Sequence, residues 1–184
     1  VWFGQRTYNG VALLVPATQP APADVVRNIP GFEDEQARVI AATVQSTRVI
    51  GAYFPNGQAP GSEKFAYKMK WLQALQDWVN SELQQHPRLV LMGDFNIAPE
   101  DRDEWDVRRI VGSTHVSAPE REALAALRGW GLEDVFRRLY PEQDGLYSYW
   151  DYRAGDFHQG RGMRIDFALA TAPLARTATW AVVD

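Results

Sequence analysis

Apolar positions along the chain follow two periodicities. Between residues 62 and 85, Phe65, Met69, Leu72, Leu75, Val79 and Leu83 recur at three and four, with Trp71 and Trp78 flanking the stripe. That is the helical period. The spacing predicts a helix there, which His86-Pro87 ends, because the residue before a proline is driven out of the α region. Elsewhere the apolar residues come in short runs. Residues 10–15 (GVALLV) predict a strand, followed over 16–24 by a loop whose three prolines exclude it from a sheet interior. Residues 37–45 and 47–54, parted by Ser46, predict adjacent antiparallel strands, the second running into the turn Tyr53-Phe54-Pro55-Asn56-Gly57. Residues 89–92 (LVLM) read as a buried strand that delivers Gly93-Asp94-Phe95-Asn96 at its carboxyl end. Ser117-Ala118-Pro119-Glu120 has the form of a capping box opening a helix that ends near Gly131. Residues 146–152 and 163–171 predict strands around a polar loop over 151–162, and 177–183 a closing strand.

No internal repeat or dividing linker interrupts this pattern, so residues 1–184 are read as a single domain. Hairpin-like pairs alternating with two longer helices predict an α+β architecture, with antiparallel strands in two sheets packed face to face and helices outside. Composition adds exclusions. The 184 residues are 46% hydrophobic and 23% charged, enough for a core without disulfides. With no cysteine, thiol catalysis, Cys-ligated zinc and iron–sulfur clusters drop out. The net charge of −4 argues against bulk attraction of polyanions but leaves room for a local basic groove. No apolar run approaches the ~18 residues of a membrane span, and the N-terminus carries no signal-peptide pattern. A cytoplasmic protein without a membrane partner is expected. The absence of an initiator Met and the aromatic opening suggest a piece of a longer domain.

Four constellations could carry chemistry. Asp94 and Asn96, at i and i+2 past a buried strand, could converge on a water, a phosphate oxygen or a metal; the competing reading is an Asx turn satisfying its own backbone. Tyr53 and Asn56 could donate to a phosphate, or form only a turn. Alternation over 164–169 would put Arg164 and Asp166 on one face. An inward Asp166 would need a histidine or a cation, since an unpaired buried charge is costly; a surface Arg164–Asp166 pair is the alternative. Tyr147, Tyr149, Trp150 and Tyr152, with Arg153, Arg161 and Arg164 nearby, suit a sugar or base edge plus phosphates, or core packing with a solvated rim. His86, His115 and His158 lack metal-ligand spacing and read as surface residues.

Taken in order, GVALL (10–14), YFPNG (53–57), KFAYKMKW (64–71), LMGDFNIAP (91–99), WGLEDVFR (130–137), SYWDYR (148–153) and MRIDFALA (163–170) resemble the exonuclease III and apurinic/apyrimidinic endonuclease family, within the endonuclease/exonuclease/phosphatase superfamily. The resemblance implies a four-layer α/β/β/α sandwich of two mixed, mainly antiparallel sheets, incomplete here at both ends. It also implies Mg²⁺- or Mn²⁺-assisted phosphodiester hydrolysis. Asp94 would orient or deprotonate the water, Asn96 would hold the phosphate, Tyr53 would hydrogen-bond it with Asn56 close by, and Asp166 would orient the family's histidine. Lys68 would support Asp94 or the fold electrostatically. Tyr149, Met163 and Ile165 match the pocket for a flipped abasic sugar, Tyr8 and Asn9 a DNA-contacting loop, and Arg153 and Arg161 phosphate contacts.

The family's Gln-Glu-Thr-type motif, whose glutamate is a principal metal ligand, and its Ser-Asp-His motif do not occur in this sequence. Of the metal side, Asp94 and Asn96 remain. Hydrolysis by these 184 residues alone is therefore expected to be weak or absent, whereas a longer parent would be a competent, monomeric enzyme. The implied partner is duplex DNA with abasic sites or 3′ ends, cut 5′ to the abasic site, with 3′–5′ exonuclease and 3′-phosphatase activity. The alternatives are a non-catalytic remnant of that fold, or a phosphoesterase acting on another phosphoester.

Overall fold

The computed structural model describes residues 1–183, apart from the side chains of Arg109 and Ala154. The chain opens with a ribbon of β1 (Trp2–Gly4) and β2 (Gly10–Ala12), then forms β3 (Ala23–Arg27), β4 (Val39–Val44) and β5 (Thr47–Tyr53). Helix α1 (Glu63–Gln85) leads to β6 (Leu89–Asp94). Then come α2 (Val107–Ile110), α3 (Ala118–Gly129), β7 (Leu132–Asp134) and α4 (Val135–Leu139). A second ribbon of β8 (Tyr149–Trp150) and β9 (Gly162–Met163) precedes β10 (Asp166–Thr171) and α5 (Ala172–Ala175).

Among the described residues, six strands form one mixed sheet in the order β3-β4-β5-β6-β10-β7. Only β5 and β6 are parallel, because α1 provides the crossover that a parallel pair requires. The 39–44 and 47–53 strands pair antiparallel as their β-branched runs predict. Alternation sorts the faces: Val39, Ala41, Ile50, Ala52, Leu89, Leu91, Phe167 and Leu169 pack against α1 and α3. On the other face Ile40, Ala42 and Val49 pack with Leu13, Phe3 and Val11 of the β1–β2 ribbon. The α+β architecture is thus as expected, with that ribbon covering part of the sheet's second face.

Ser62 caps α1 by accepting from the Phe65 amide at 3.1 Å. The helix buries Trp71, Leu72, Leu75, Trp78 and Val79, so the tryptophans expected at the flank of the stripe lie within it. Burying a side chain of this class stabilises by roughly 1.5–3 kcal/mol. The capping box of α3 is present, with Glu120 closing back on Ser117.

Three expectations fail. Residues 177–183 form no strand: their β-branched run has β propensity, but a strand forms only where its backbone groups find a partner edge. The 163–171 run is broken, because the Arg164 amide donates to the Asp103 carbonyl at 2.9 Å and leaves the ribbon before β10 begins. β3 starts inside the proline-rich stretch, and its pairing with β4 shifts register after Ala23, an irregularity that hides it from a periodicity reading. No helix among the described residues is long and apolar enough to cross a membrane.

Candidate active site at the sheet end

Three neighbouring strands bring three candidate residues into one row. Tyr53 of β5 is the register partner of Asp94 of β6, and Asp94 is the register partner of Asp166 of β10. Register partners project to the same face. Each is followed by a phenylalanine in the core: Phe54 stacks on Phe95 at 4.2 Å, and Phe95 meets Phe167 at 5.1 Å. The aromatic anchors hold the polar row in place. Gly93 lets β5 and β6 approach there, with φ of 136° and an added Cβ only 2.1 Å from the Ala52 carbonyl oxygen.

Asp94 is held by its neighbour. Its Oδ1 accepts from the Asn96 amide at 2.9 Å and its Oδ2 from Asn96 Nδ2 at 3.0 Å. The Asx turn and the converging pair are therefore one structure. Burial pushes the Asp94 carboxyl up to about 6, and Asp166 adds to the rise while the Asn96 hydrogen bonds and Lys68 oppose it. Asp166, exposed at the start of β10, is also raised above its ordinary value by the partial desolvation of its carboxyl at the sheet end. Its main-chain amide donates to Ser148 Oγ at 3.0 Å.

Asn96 is buried, with φ of 50°. Its second amide hydrogen goes to the Phe54 carbonyl at 3.1 Å, and its Oδ1 accepts from Asn56 Nδ2 at 3.2 Å. Both loops are pinned from beneath by Lys68, whose Nζ donates to the Asn56 carbonyl at 3.2 Å, the Asn96 carbonyl at 2.8 Å and Glu120 Oε1 at 2.5 Å. Burial pulls the Lys68 ammonium below its usual range, against Glu120. For Glu120 burial works against the charge, but Lys68, Ser117 and the His115 amide outweigh it and hold the carboxyl low.

His115 belongs to this site and is not a surface residue, which corrects the expectation. Its Nδ1 lies 2.7 Å from the Asn96 carbonyl, so Nδ1 carries the proton, and Nε2 then accepts from Asn56 Nδ2 at 3.4 Å. Burial lowers its pKa and favours the neutral ring. Sequence reasoning passed over it for lack of ligand spacing; the signal available was its position two residues before the α3 capping box.

Two cavities flank Asn56. One, of about 730 Å³, is lined by Tyr8, Asn9, Arg38, Lys64 and Arg153 among others. Tyr8 and Asn9 both have positive φ there, and Asn9 donates to Gln36 at 2.9 Å. The other, of about 590 Å³, is bordered by Tyr149, Met163, Arg153, Arg161 and His115. Arg161 stacks over Trp105 at 5.1 Å. Ile165, expected with Tyr149 and Met163, is buried with Ala98 and Val116, and Met163 packs against that cluster from the cavity side. Arg164 forms no pair with Asp166. It is buried, bonded to Asp103 at 2.7 Å and Asp134 at 2.9 Å, its guanidinium 4.4 Å over Phe167. Two carboxylates and an aromatic face offset the water that the guanidinium loses on burial.

A family model described as Endonuclease/Exonuclease/phosphatase family matches residues 1–184. Exodeoxyribonuclease III of Haemophilus influenzae is 35% identical over an alignment of 184 positions that covers 94% of this chain and 68% of that protein. A Neisseria 3′ phosphatase solved with a product DNA hairpin superposes with a TM-score of 0.91 at 42% identity, over 96% of this chain and 67% of its own. An AP endonuclease from Archaeoglobus fulgidus superposes with a TM-score of 0.86 at 30% identity, over 96% and 67%. The chain thus spans about two thirds of the length of these relatives. With the Asp94 row at the sheet end and the match running the length of the chain, it belongs to the endonuclease/exonuclease/phosphatase family of hydrolases, in its exodeoxyribonuclease III branch.

Proposed function

We propose that the chain acts on duplex DNA as a divalent-metal-dependent phosphodiesterase of DNA repair, cutting 5′ to abasic sites and removing nucleotides and phosphate from 3′ ends. The observation that carries this reading is the Tyr53–Asp94–Asp166 row, whose Tyr53 ring lies 5.0 Å from the Arg38 guanidinium of the 730 Å³ cavity that Lys64 and Arg153 also line. That local basic lining suits a phosphate backbone despite the negative net charge.

The donor chemistry fits Mg²⁺ or Mn²⁺. Asp94 and Asp166 are hard oxygen donors side by side, and like charges so placed favour a cation between them. Asn96 Oδ1, the other expected ligand, already accepts from Asn56. Among the described residues no three acidic or histidine side chains gather as a cage. Mg²⁺ is commonly held by one or two carboxylates, with waters and substrate phosphate oxygens completing the sphere. When bound, the ion neutralises charge on the phosphate and on the leaving oxygen.

The chain's own groups do the rest in this proposal. Asp94 orients the attacking water or takes its proton. Asn96 holds that carboxyl in one orientation through two hydrogen bonds, and Lys68 fixes Asn96 from below. Tyr53 donates its phenol to the phosphate. Tyr149 and Met163, paired across β8 and β9, border the space for an extruded sugar.

Incision of a duplex carrying one tetrahydrofuran residue tests this. A slow nick, as the missing Gln-Glu-Thr-type and Ser-Asp-His motifs imply for these residues, that requires Mg²⁺, disappears in EDTA and falls at least ~100-fold in Asp94→Asn is the expected result, the size expected when a general base is lost. A nick indifferent to EDTA or to Asp94→Asn, or a folded chain that neither nicks nor binds the duplex, would overturn it.

A further inference from the structure

Arg38 is only 8% exposed and forms no salt bridge among the described residues. A neutral side chain holds it instead. Gln36 Oε1 accepts from Arg38 Nε at 3.1 Å and from Nη2 at 2.6 Å, which leaves Nη1 to donate to the Tyr53 carbonyl at 3.2 Å. The guanidinium carbon then lies 5.0 Å from the centre of the Tyr53 ring and 6.0 Å from that of Tyr67. Because the acceptor is an amide, this grip fixes the cation over the Tyr53 ring without neutralising its charge.

The same oxygen reaches a second element. Asn9 Nδ2, on the turn between β1 and β2, donates to Gln36 Oε1 at 2.9 Å. Three donors share an oxygen that has two lone pairs, so a displacement of one is felt by the others. The turn meets the same segment again through Gln5 Oε1, which accepts from the Ala37 amide at 2.8 Å. Between these ties Tyr8 is 89% exposed, and Tyr8 and Asn9 have left-handed backbone, with φ of 53° and 58°. An aromatic residue seldom adopts that conformation, and keeps it where the surrounding contacts enforce it. The 34–38 segment is itself clamped. Asn28 donates to the Asp34 and Gln36 carbonyls at 3.0 and 2.9 Å and accepts from the Arg38 amide at 3.2 Å, while Tyr67 of α1 donates to Asp34 Oδ2 at 2.8 Å.

We infer that Gln36 is a positioning residue: through Arg38 it sets the Tyr53 side chain, and through Asn9 it makes that setting depend on the turn over residues 5–9. A strand seated against the turn thereby orders the phenol that donates to the phosphate. The inference deepens the DNA reading and rests on it for the ligand that seats the turn, but the relay from Asn9 to Tyr53 is a property of the chain alone.

Two readouts test it, one of which needs no DNA. In the chain labelled with 3-fluorotyrosine, the ¹⁹F resonance of Tyr53 is assigned by its loss in Tyr53→Phe. Asn9→Ala is expected to shift that resonance in the otherwise unmodified chain and in Gln36→Glu, which keeps the acceptor. In Gln36→Met, which removes the acceptor, and in Arg38→Lys, which breaks the next joint, Asn9→Ala should leave it in place. Fluorescence anisotropy of a labelled duplex in EDTA then gives affinities for a double-mutant cycle of Asn9→Ala and Tyr53→Phe. The two losses should be coupled by about fivefold, a size usual for residues in one network, and Gln36→Met should bring the coupling to unity. A Tyr53 resonance indifferent to Asn9→Ala in the unmodified chain overturns the inference. So does a response that is lost in Gln36→Glu, or one that persists in folded Gln36→Met or folded Arg38→Lys. Duplex affinities that simply add also overturn it, since the relay would then do nothing for the ligand. A Gln36-dependent shift without duplex binding keeps the relay and overturns the DNA reading, and duplex binding without that shift does the reverse.

Discussion

Asp94 and Asp166 stand opposite each other in the register of β6 and β10, and desolvation at the sheet end raises both carboxyls. Neither forms a salt bridge among the described residues. Two like charges so placed strain the sheet end until a proton or a cation sits between them. Asp166→Asn is therefore expected to raise the melting temperature in EDTA. Millimolar Mg²⁺ should raise it for the unmodified chain and much less for the variant, by linkage of binding to folding. Differential scanning fluorimetry with and without the ion checks both signs.

Gly93→Ala should be strongly destabilising. A methyl there would meet the Ala52 carbonyl oxygen at 2.1 Å in a backbone conformation that L residues avoid. The two strands would have to separate under the Tyr53–Asp94 pair, at a cost of at least ~2 kcal/mol. Urea unfolding gives the number, and a loss under 0.5 kcal/mol or so would contradict the close approach.

The Lys68–Glu120 pair is fully buried on both sides. Lys68→Met leaves Glu120 charged without its cation and should cost about 3–5 kcal/mol. Lys68→Met combined with Glu120→Leu should recover much of that stability. Incision should stay low in the double variant, because the Asn56 and Asn96 carbonyls lose the donor that holds them. Equal recovery of stability and incision would show that Lys68 serves packing alone.

Glu104 predicts a pH dependence of stability. Its carboxyl, near the ordinary value in the unfolded chain, is buried without a hydrogen-bond partner among the described residues in the folded one, and burial pushes it up to about 8. Between those values the folded state keeps a proton that the unfolded state lacks, so stability falls as pH rises through that window to about 8. Glu104→Gln removes this slope. Above that range it should be more stable than the unmodified chain by ~1–3 kcal/mol, the scale of an unpaired buried charged or polar group. Thermal melts across the window, with Arg121 and Asp103 left intact, provide the check.

Much of the local structure was legible because it is written in near neighbours. The 3.6-residue stripe of α1, the Ser117–Glu120 box, the antiparallel runs on either side of Ser46 and the Asp94–Asn96 turn all depend on residues a few positions apart. The ordered motifs from 10–14 to 163–170 carried the family. Long-range partners were not legible. His115 reads as a loop histidine until the Asn56 and Asn96 loops fold around it, and Arg164 reads as a surface residue until Asp103 and Asp134, 61 and 30 positions away, surround it.

The sequence by itself therefore determined most of the elements, the strand-end placement of Tyr53 and Asp94, and the family, since periodicity and motif spacing are local properties of a chain. Only the tertiary structure decided that Asn96 Oδ1 accepts from Asn56, 40 positions away, that Ile165 goes to the core, that 177–183 is not a strand, and that Glu104 is buried unpaired. Burial and hydrogen-bond satisfaction are set by what packs from elsewhere in the fold, and no spacing along the chain encodes that.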